Sequence, residues 1–421
     1  MAASANDVAQ PLTHGPATFS HWGKGRTADR TSIEWESLVP GLLMPVENSD
    51  LRNEVRHLLA EPELREELNG IWRTPPHGEC PVPRLTYREL GRRGLLAPHW
   101  PPEYGGRGAD VSAGAAVAEE LALHGVPDSA RVNTIDNAGT TLLTFGTERQ
   151  RRRHCPQMAA GHVVFSVLYT EPDAGSDLGG MATRAERTAD GWRLTGTKTW
   201  NATTADARYG ICAARVAGGG DNAYAATALF VVPLDHPAVR IEALPTVNPE
   251  PFFTVHLDGA EVDDEALIGS PDAGWSMLTE ALGLERTGIC FAGRARRWLD
   301  QLVRALEERG GPGGAQELSR LDAEVTAARL LGWRAVADLS DGRLGAAAAA
   351  AAKWWNSELA QRVARLAWEL LGPQGSPAFP DLMVAVREAP GLTLAAGTSE
   401  MQLSTVVTDL LDGGDPWEEP I

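Results

Sequence analysis

The period of the hydrophobic pattern changes twice along this chain, and those two changes limit what it can fold into. From Leu51 to about Gly161, LRNEVRHLLAEPELREEL and ELGRRGLL place apolar residues at helical spacing. From Val163 to about Ile268 the pattern becomes short alternating or apolar runs, VVFSVLYT, GWRLTGTKTW, YGICAARV, TALFVVPL and FFTVHLDG, which predict strands. Helical spacing returns from about Gly274. In GAAAAAAAKWWNSELAQRVARLAWELLG the alanine run has the best intrinsic helix propensity and Gly372 supplies a stop. The class is therefore α+β, in the order helical, β, helical. The expected division is a flexible extension over 1–45, a helical domain over 46–164, a β domain over 165–272 and a helical domain over 273–421. The Pro and Gly density of APHWPPEYGGRG forbids a continuous helix and marks a loop inside the first helical domain.

Composition narrows the function. With 421 residues there is chain enough for several packed units, and 43% hydrophobic with 22% charged residues is ordinary for a folded protein. A net charge of -18 opposes binding to nucleic acid and to anionic lipid surfaces, which needs clustered Lys and Arg. A local basic pocket remains compatible with an anionic substrate. Cys80, Cys155, Cys212 and Cys290 form no C-x-x-C pair and have no His at metal spacing, so neither a metal site nor a disulfide framework is expected. No run reaches the roughly 18 apolar residues of a membrane helix. The polar leader MAASANDVAQPLTHG lacks the pattern of an export signal, so the expected location is cytoplasmic.

The chemistry-bearing segments lie at the junctions of these units. Thr170-Glu171-Pro172-x-Ala174-Gly175-Ser176-Asp177 and Ala396-Gly397-Thr398-Ser399-Glu400-Met401-Gln402 resemble the two signatures of the acyl-CoA dehydrogenases. WPPEYGGRG, FGTERQRRRHCPQMAAG and the helix around Lys353 fall in the same order as in that family, so the resemblance spans roughly residues 50 to 412. It implies a middle domain like a β-barrel, a C-terminal four-helix bundle and FAD as cofactor. The implied partners are an acyl-CoA or carrier-bound acyl substrate, an electron-accepting flavoprotein, and further copies in a homodimer or tetramer.

The resemblance also implies site residues. The backbone of Tyr169 and Thr170 suits the acceptors of a flavin ring, Gly175 allows close approach, and Ser176 can bond FAD or the CoA portion. Trp200 corresponds to the tryptophan that covers the flavin, followed by Asn201 and Ala202. At 202 the family often has a hydroxyl, so either a neighbour, Thr203 or Thr204, substitutes or that donor is lost. Arg309 corresponds to an arginine that reaches FAD pyrophosphate across a subunit boundary, although the aromatic residue usually found near it is missing from LEERGGPGGAQ. Thr398 and Glu400 are the remaining C-terminal FAD contacts. Ser176, Arg286 and Gly397 fall on the substrate side.

Removing a proton alpha to a thioester requires a desolvated carboxylate, and the family's usual position for it is occupied here by Ala396. A second family position, at the opening of the C-terminal domain, holds Glu285. In EALGLERTGICFAGRARRWL, helical spacing would align Leu282, Glu285, Ile289 and Ala292 and turn Glu285 toward an apolar face. A surface Glu–Arg pair is the plainer alternative. Three activities fit: dehydrogenation with Glu285 as base, a reduced-flavin monooxygenase on the same fold, and a non-catalytic subunit of a hetero-oligomeric dehydrogenase. Trp354 and Trp355 are read as packing or subunit-interface residues, and the basic run Arg149 to Cys155 as a solvated helix face.

Overall fold

The computed structural model describes residues 48–412, except 70, 73–79, 218–225, 282–284, 311–313, 344, 374, 376 and 377, and except the side chains of 279–285. The expected extension over 1–45 lies outside the described residues.

The first helical region contains α1 (Ser49–Leu59), α2 (Pro62–Leu68), α3 (Arg84–Arg92), α4 (Val111–Leu123) and α5 (Ser129–Arg131). A π-helical stretch, Val132–Gly139, then leads into α6 (Thr140–Phe145) and α7 (Glu148–Ala159). Local chemistry sets the starts: the Asp110 side chain accepts from the Ser112 amide, and Thr147 with Gln150 forms a reciprocal capping box. The APHWPPEYGGRG segment is a loop with one 3-10 turn, Pro102–Tyr104. A Cβ at Gly106 would stand 2.0 Å from the Trp100 carbonyl oxygen, so this crossing admits only glycine. In α7, Arg149 and Arg152 face solvent while His154 and Cys155 are buried.

The β region contains β1 (Phe165–Leu168), β2 (Arg184–Arg187), β3 (Gly191–Ala202), β4 (Tyr209–Val216), β5 (Thr227–Pro233), β6 (Val239–Leu244), β7 (Phe252–Asp263) and β8 (Leu267–Ile268). The sheet order is β6-β7-β3-β2-β4-β5-β8, and β1 pairs in parallel with β4. Leu194, Phe230 and Val255 lie in its core. The antiparallel β3–β7 register slips between Lys198 and Asn201, which releases Trp200 from the regular pleat.

The C-terminal region contains α8 (Gly274–Ala281), a 3-10 turn (Glu285–Thr287), α9 (Ile289–Glu308), α10 (Ala315–Ser340), α11 (Ala346–Leu371), α12 (Asp381–Leu392) and α13 (Ser399–Leu411). Helices α9 to α12 share one core around Trp298, Leu302, Val325, Val363 and Leu382, which makes the expected bundle. The alanine run is helical, with Ala347 to Ala350 buried, and Gly372 ends α11 at a φ of 69°. The continuous helix expected through Glu285 and Ile289 does not form. Gly288 adopts a left-handed φ of 67° as the N-cap of α9, so Glu285 and Ile289 do not share a helical face.

Buried charges join the first region to the bundle. Glu119 of α4 accepts from Arg329 of α10 at 2.6 Å and pairs with Arg52 of α1 at 2.7 Å. Burial works against its ionisation, but the two guanidinium groups outweigh it and hold the carboxyl at about 2.

Candidate active site

Two segments of the β region are locked together by a buried lysine. Lys198, fully buried on β3, donates to the Tyr169 carbonyl at 3.1 Å and to Glu171 Oε1 at 2.7 Å. The Thr199 amide adds a bond to the Thr170 carbonyl at 2.9 Å. Glu171 also accepts from the amides of Ala182 and Thr183. Desolvation raises its carboxyl, but Lys198 and these donors outweigh it and leave the group below the usual range. The Tyr169–Ser176 segment is thereby fixed against the end of β3.

At that end Trp200 stands out. It is 57% exposed and has a φ of 58°, a left-handed conformation that costs a bulky residue energy and persists only where its surroundings impose it. Phe252, at the start of β7, meets its ring edge at 6.0 Å between centroids. Gly175 has no atom within 4 Å of where a Cβ would stand, and Ser176 is exposed. An exposed indole beside a loop with open small residues is a platform for a flat ring, so these residues fit a flavin.

The residues after Trp200 carry the two hydroxyls nearest position 202 in sequence. Thr203 is buried with a φ of 61°, and its Oγ1 accepts from Asn133 Nδ2 at 3.3 Å. Thr204 Oγ1 is engaged with Ser166 Oγ at 2.9 Å and with the Asn201 carbonyl. Both hydroxyls are buried, Thr204 engaged with Ser166 and Asn201 and Thr203 accepting from Asn133 while its own O–H proton is not used in that bond. Asn201 Nδ2 donates to the Phe253 carbonyl at 3.1 Å, so its side chain ties β3 to β7. Asn133 comes from the π-helical stretch, a distortion that recurs at functional sites.

A second lysine organises the C-terminal part. Lys353 of α11, also fully buried, donates to the Gly397 carbonyl at 2.7 Å, and Gln402 Nε2 donates to the Ala396 carbonyl at 2.8 Å. Ala396 has a φ of 55°. Thr398 caps α13 by accepting from the Met401 amide, and Glu400 is exposed in the first turn of that helix. One turn along α11 from Lys353, Asn356 donates to the Gly288 carbonyl at 3.1 Å. Thus α11 holds both positions at issue for the base, the Ala396–Gly397 turn and the turn that carries Glu285 and Arg286. The side chain of Glu285 lies outside the described residues.

Arg309 also serves the bundle itself. Its guanidinium donates to the carbonyls of Leu371 at 3.0 Å and of Gly375, closing the end of α11. Arg309 is exposed, and these two bonds use two of the five N–H groups of its guanidinium. Trp354 and Trp355 meet edge to face at 5.8 Å, and Trp355 packs on the bundle core.

Sequence reasoning missed Lys198, Asn133, Lys353 and Asn356. The lysines carried one signal: each stands in a run whose pattern requires burial. No metal-binding group of acids, His or Cys occurs among the described residues, and no described helix is long and apolar enough to cross a membrane.

Family models of the acyl-CoA dehydrogenase N-terminal, middle and C-terminal domains match residues 46–162, 166–259 and 272–411. Acyl-CoA dehydrogenase FadE29 of Mycobacterium tuberculosis is 30% identical over 365 residues, covering 81% of this chain and 88% of that protein. Glutaryl-CoA dehydrogenase of Desulfococcus multivorans is 28% identical over 342 residues, 77% and 87% of the two chains. Among solved structures, a chain of the Tcur3481-Tcur3483 steroid ACAD superposes with a TM-score of 0.80 at 27% identity, covering 88% of this chain and 98% of its own. A glutaryl-coenzyme A dehydrogenase in complex with glutaryl-CoA gives 0.79 at 25%, covering 90% and 98%.

Proposed function

Since the chain belongs to the acyl-CoA dehydrogenase family, we propose that it oxidises the alpha and beta carbons of an acyl thioester, with Glu285 as the base. The observation that carries this reading is the exposed, left-handed Trp200 held beside the Thr170 loop by Lys198 and Thr199. FAD, when bound, supplies the acceptor for the hydride that leaves the beta carbon.

The chain's own residues do the rest. Trp200 covers apolar ring surface, while the backbone of Tyr169 and Thr170, with Ala202, offers polar contacts at the ring edge. Gly175 and Ser176 admit the phosphate or CoA portion. Thr398 and the first turn of α13 offer amide donors to an anion, with Glu400 at the rim. Glu285 takes the alpha proton, from a turn fixed on α11 through Gly288 and Asn356. Arg286 and Gly397 face the thioester side. An electron-accepting flavoprotein then removes the electrons, and the acyl group arrives on CoA or on a carrier protein.

Anaerobic titration of the FAD-loaded chain with short, branched and aromatic acyl-CoAs tests this through loss of flavin absorbance near ~450 nm. Bleaching by any of them supports dehydrogenation, and none would overturn it. A reduced-flavin monooxygenase is the second reading, favoured by the missing hydroxyl at Ala202 and the missing carboxylate at Ala396. Oxygen uptake that depends on supplied reduced flavin would support it. A protein that stays colourless with added FAD would instead point to a non-catalytic subunit.

A further inference from the structure

Glu250, in the loop between β6 and β7, stands where all three regions of the chain meet. Its Oε2 accepts from Ser129 Oγ of α5 at 2.5 Å, and the charges of Asp128, Arg294 and Glu388 act on it. Two residues further on, Phe252 touches Trp200. The same loop lies against the end of α12, since a Cβ on Gly391 would stand 3.1 Å from Asn248 Nδ2, and α12 leads directly to Ala396. On the other side, α5 leads into the π-helical stretch whose Asn133 bonds Thr203. Glu250 is therefore placed between the Trp200 and Ala396 ends of the candidate site.

Its surroundings carry an excess of acid. Arg131 is matched by Asp136 at 2.8 Å, and Arg297 has Asp381 at 3.6 Å. Arg294 pairs with Asp128 and lies 3.3 Å from Glu388, which Arg297 also attracts, so these two arginines face four carboxyl groups, Asp128, Glu250, Glu388 and Asp381. Glu250 is half-buried, and its Oε1 has no hydrogen-bond partner among the described residues. A reachable acceptor in a confined acidic setting favours a ligand group that donates a hydrogen bond.

We infer that Glu250 and Ser129 form a polar wall of the acyl cleft, selecting acyl groups that carry a hydrogen-bond donor, a hydroxyl or an ammonium, away from the thioester. This rests on the dehydrogenase reading and names a substrate class for it. The burial that pushes the Glu250 carboxyl up to about 7 is consistent with a group that gains a partner when substrate enters.

The test uses the FAD-loaded full chain and matched linear and cyclohexyl acyl-CoAs, unsubstituted, hydroxylated or aminated at the far end, with Kd and bleaching rate read for each. The expected result is binding of donor-bearing members roughly tenfold or more tighter than their unsubstituted counterparts. Glu250→Leu should abolish that preference, and Glu250→Gln, which keeps an acceptor oxygen, should retain part of it. Flavin content and thermal melting of the variants separate a lost preference from a lost fold. Equal binding of substituted and unsubstituted members by the unaltered protein, or a preference that survives in Glu250→Leu, would overturn the inference while leaving the dehydrogenase reading intact. Absence of bleaching by every thioester would instead remove that reading, and the inference with it.

Discussion

Lys353 reaches from a helix of alanines to the carbonyl of Gly397, 44 residues away in sequence, and holds it at 2.7 Å. The ammonium is fully buried, so this bond both satisfies a costly charge and fixes the turn that begins at the strained Ala396. Replacing Lys353 with Met should cost about 1–3 kcal/mol, since the Gly397 carbonyl keeps only the long Gln402 contact at 3.5 Å, and should lower FAD retention. Melting temperature and flavin absorbance after gel filtration check both effects. Full FAD retention would show that the turn holds itself.

Glu285→Gln should slow substrate-dependent bleaching by roughly a hundredfold or more while the protein keeps its flavin, as loss of a general base requires. Adding Ala396→Glu to that variant should restore part of the rate, because α11 holds both positions. Stopped-flow absorbance decides the matter, and an unchanged rate in Glu285→Gln removes Glu285 from the reaction.

Ala396→Gly should leave stability unchanged or raise it by up to about 1 kcal/mol. A left-handed residue with a Cβ costs about 1–2 kcal/mol, and the extra chain entropy of glycine in the unfolded state offsets part of the gain. Denaturant unfolding measures it. A clear loss of stability would mean that the methyl group packs.

The Glu119 network predicts acid sensitivity. Its carboxyl is held at about 2 in the fold and titrates near the ordinary carboxylate value when unfolded, so its contribution is complete above ~4.5. That contribution is lost as pH falls toward 2. Glu119→Gln leaves Arg52 and Arg329 without their shared partner and should cost about 3–5 kcal/mol at neutral pH. The difference from the unaltered protein should shrink as pH approaches 2. Melting curves across that range check it, and a constant difference would assign the cost to packing.

Glu250 has the opposite sign. Burial raises its carboxyl to about 7; Ser129 and Arg294 oppose this, while Asp128 and Glu388 reinforce it. Below ~4.5 the group is protonated in both states and costs nothing, whereas between there and 7 only the unfolded chain ionises and the fold loses stability. Glu250→Gln should therefore melt with the unaltered protein at pH 4 to 5 and be more stable by roughly 1–3 kcal/mol at pH 8. A variant less stable at pH 8 would show that the carboxylate is well solvated.

Part of the site could be read from the chain because short-range chemistry fixes it. Gly175, read from the sequence as a small residue allowing close approach, and Ser176 sit in an open loop, and Trp200 is exposed; that Thr398 caps α13 and that Phe252 meets Trp200 are not read from the sequence. Spacing failed at Glu285, where the left-handed Gly288 interrupts the helix that would have set its face. Nor does spacing reveal that Arg309 binds the carbonyls of Leu371 and Gly375, more than sixty residues on. Position 202 shows the same limit: which threonine could stand in for a hydroxyl depends on Asn133 and Ser166, supplied by other elements.

The sequence by itself determined the helical, β, helical order, because hydrophobic period is a property of neighbouring residues, and it carried the two motifs that resemble the acyl-CoA dehydrogenase signatures. Tertiary structure alone decided the roles of Lys198, Lys353 and Glu250. A buried charge is defined by the partners that surround it, and for these residues those partners come from distant parts of the chain.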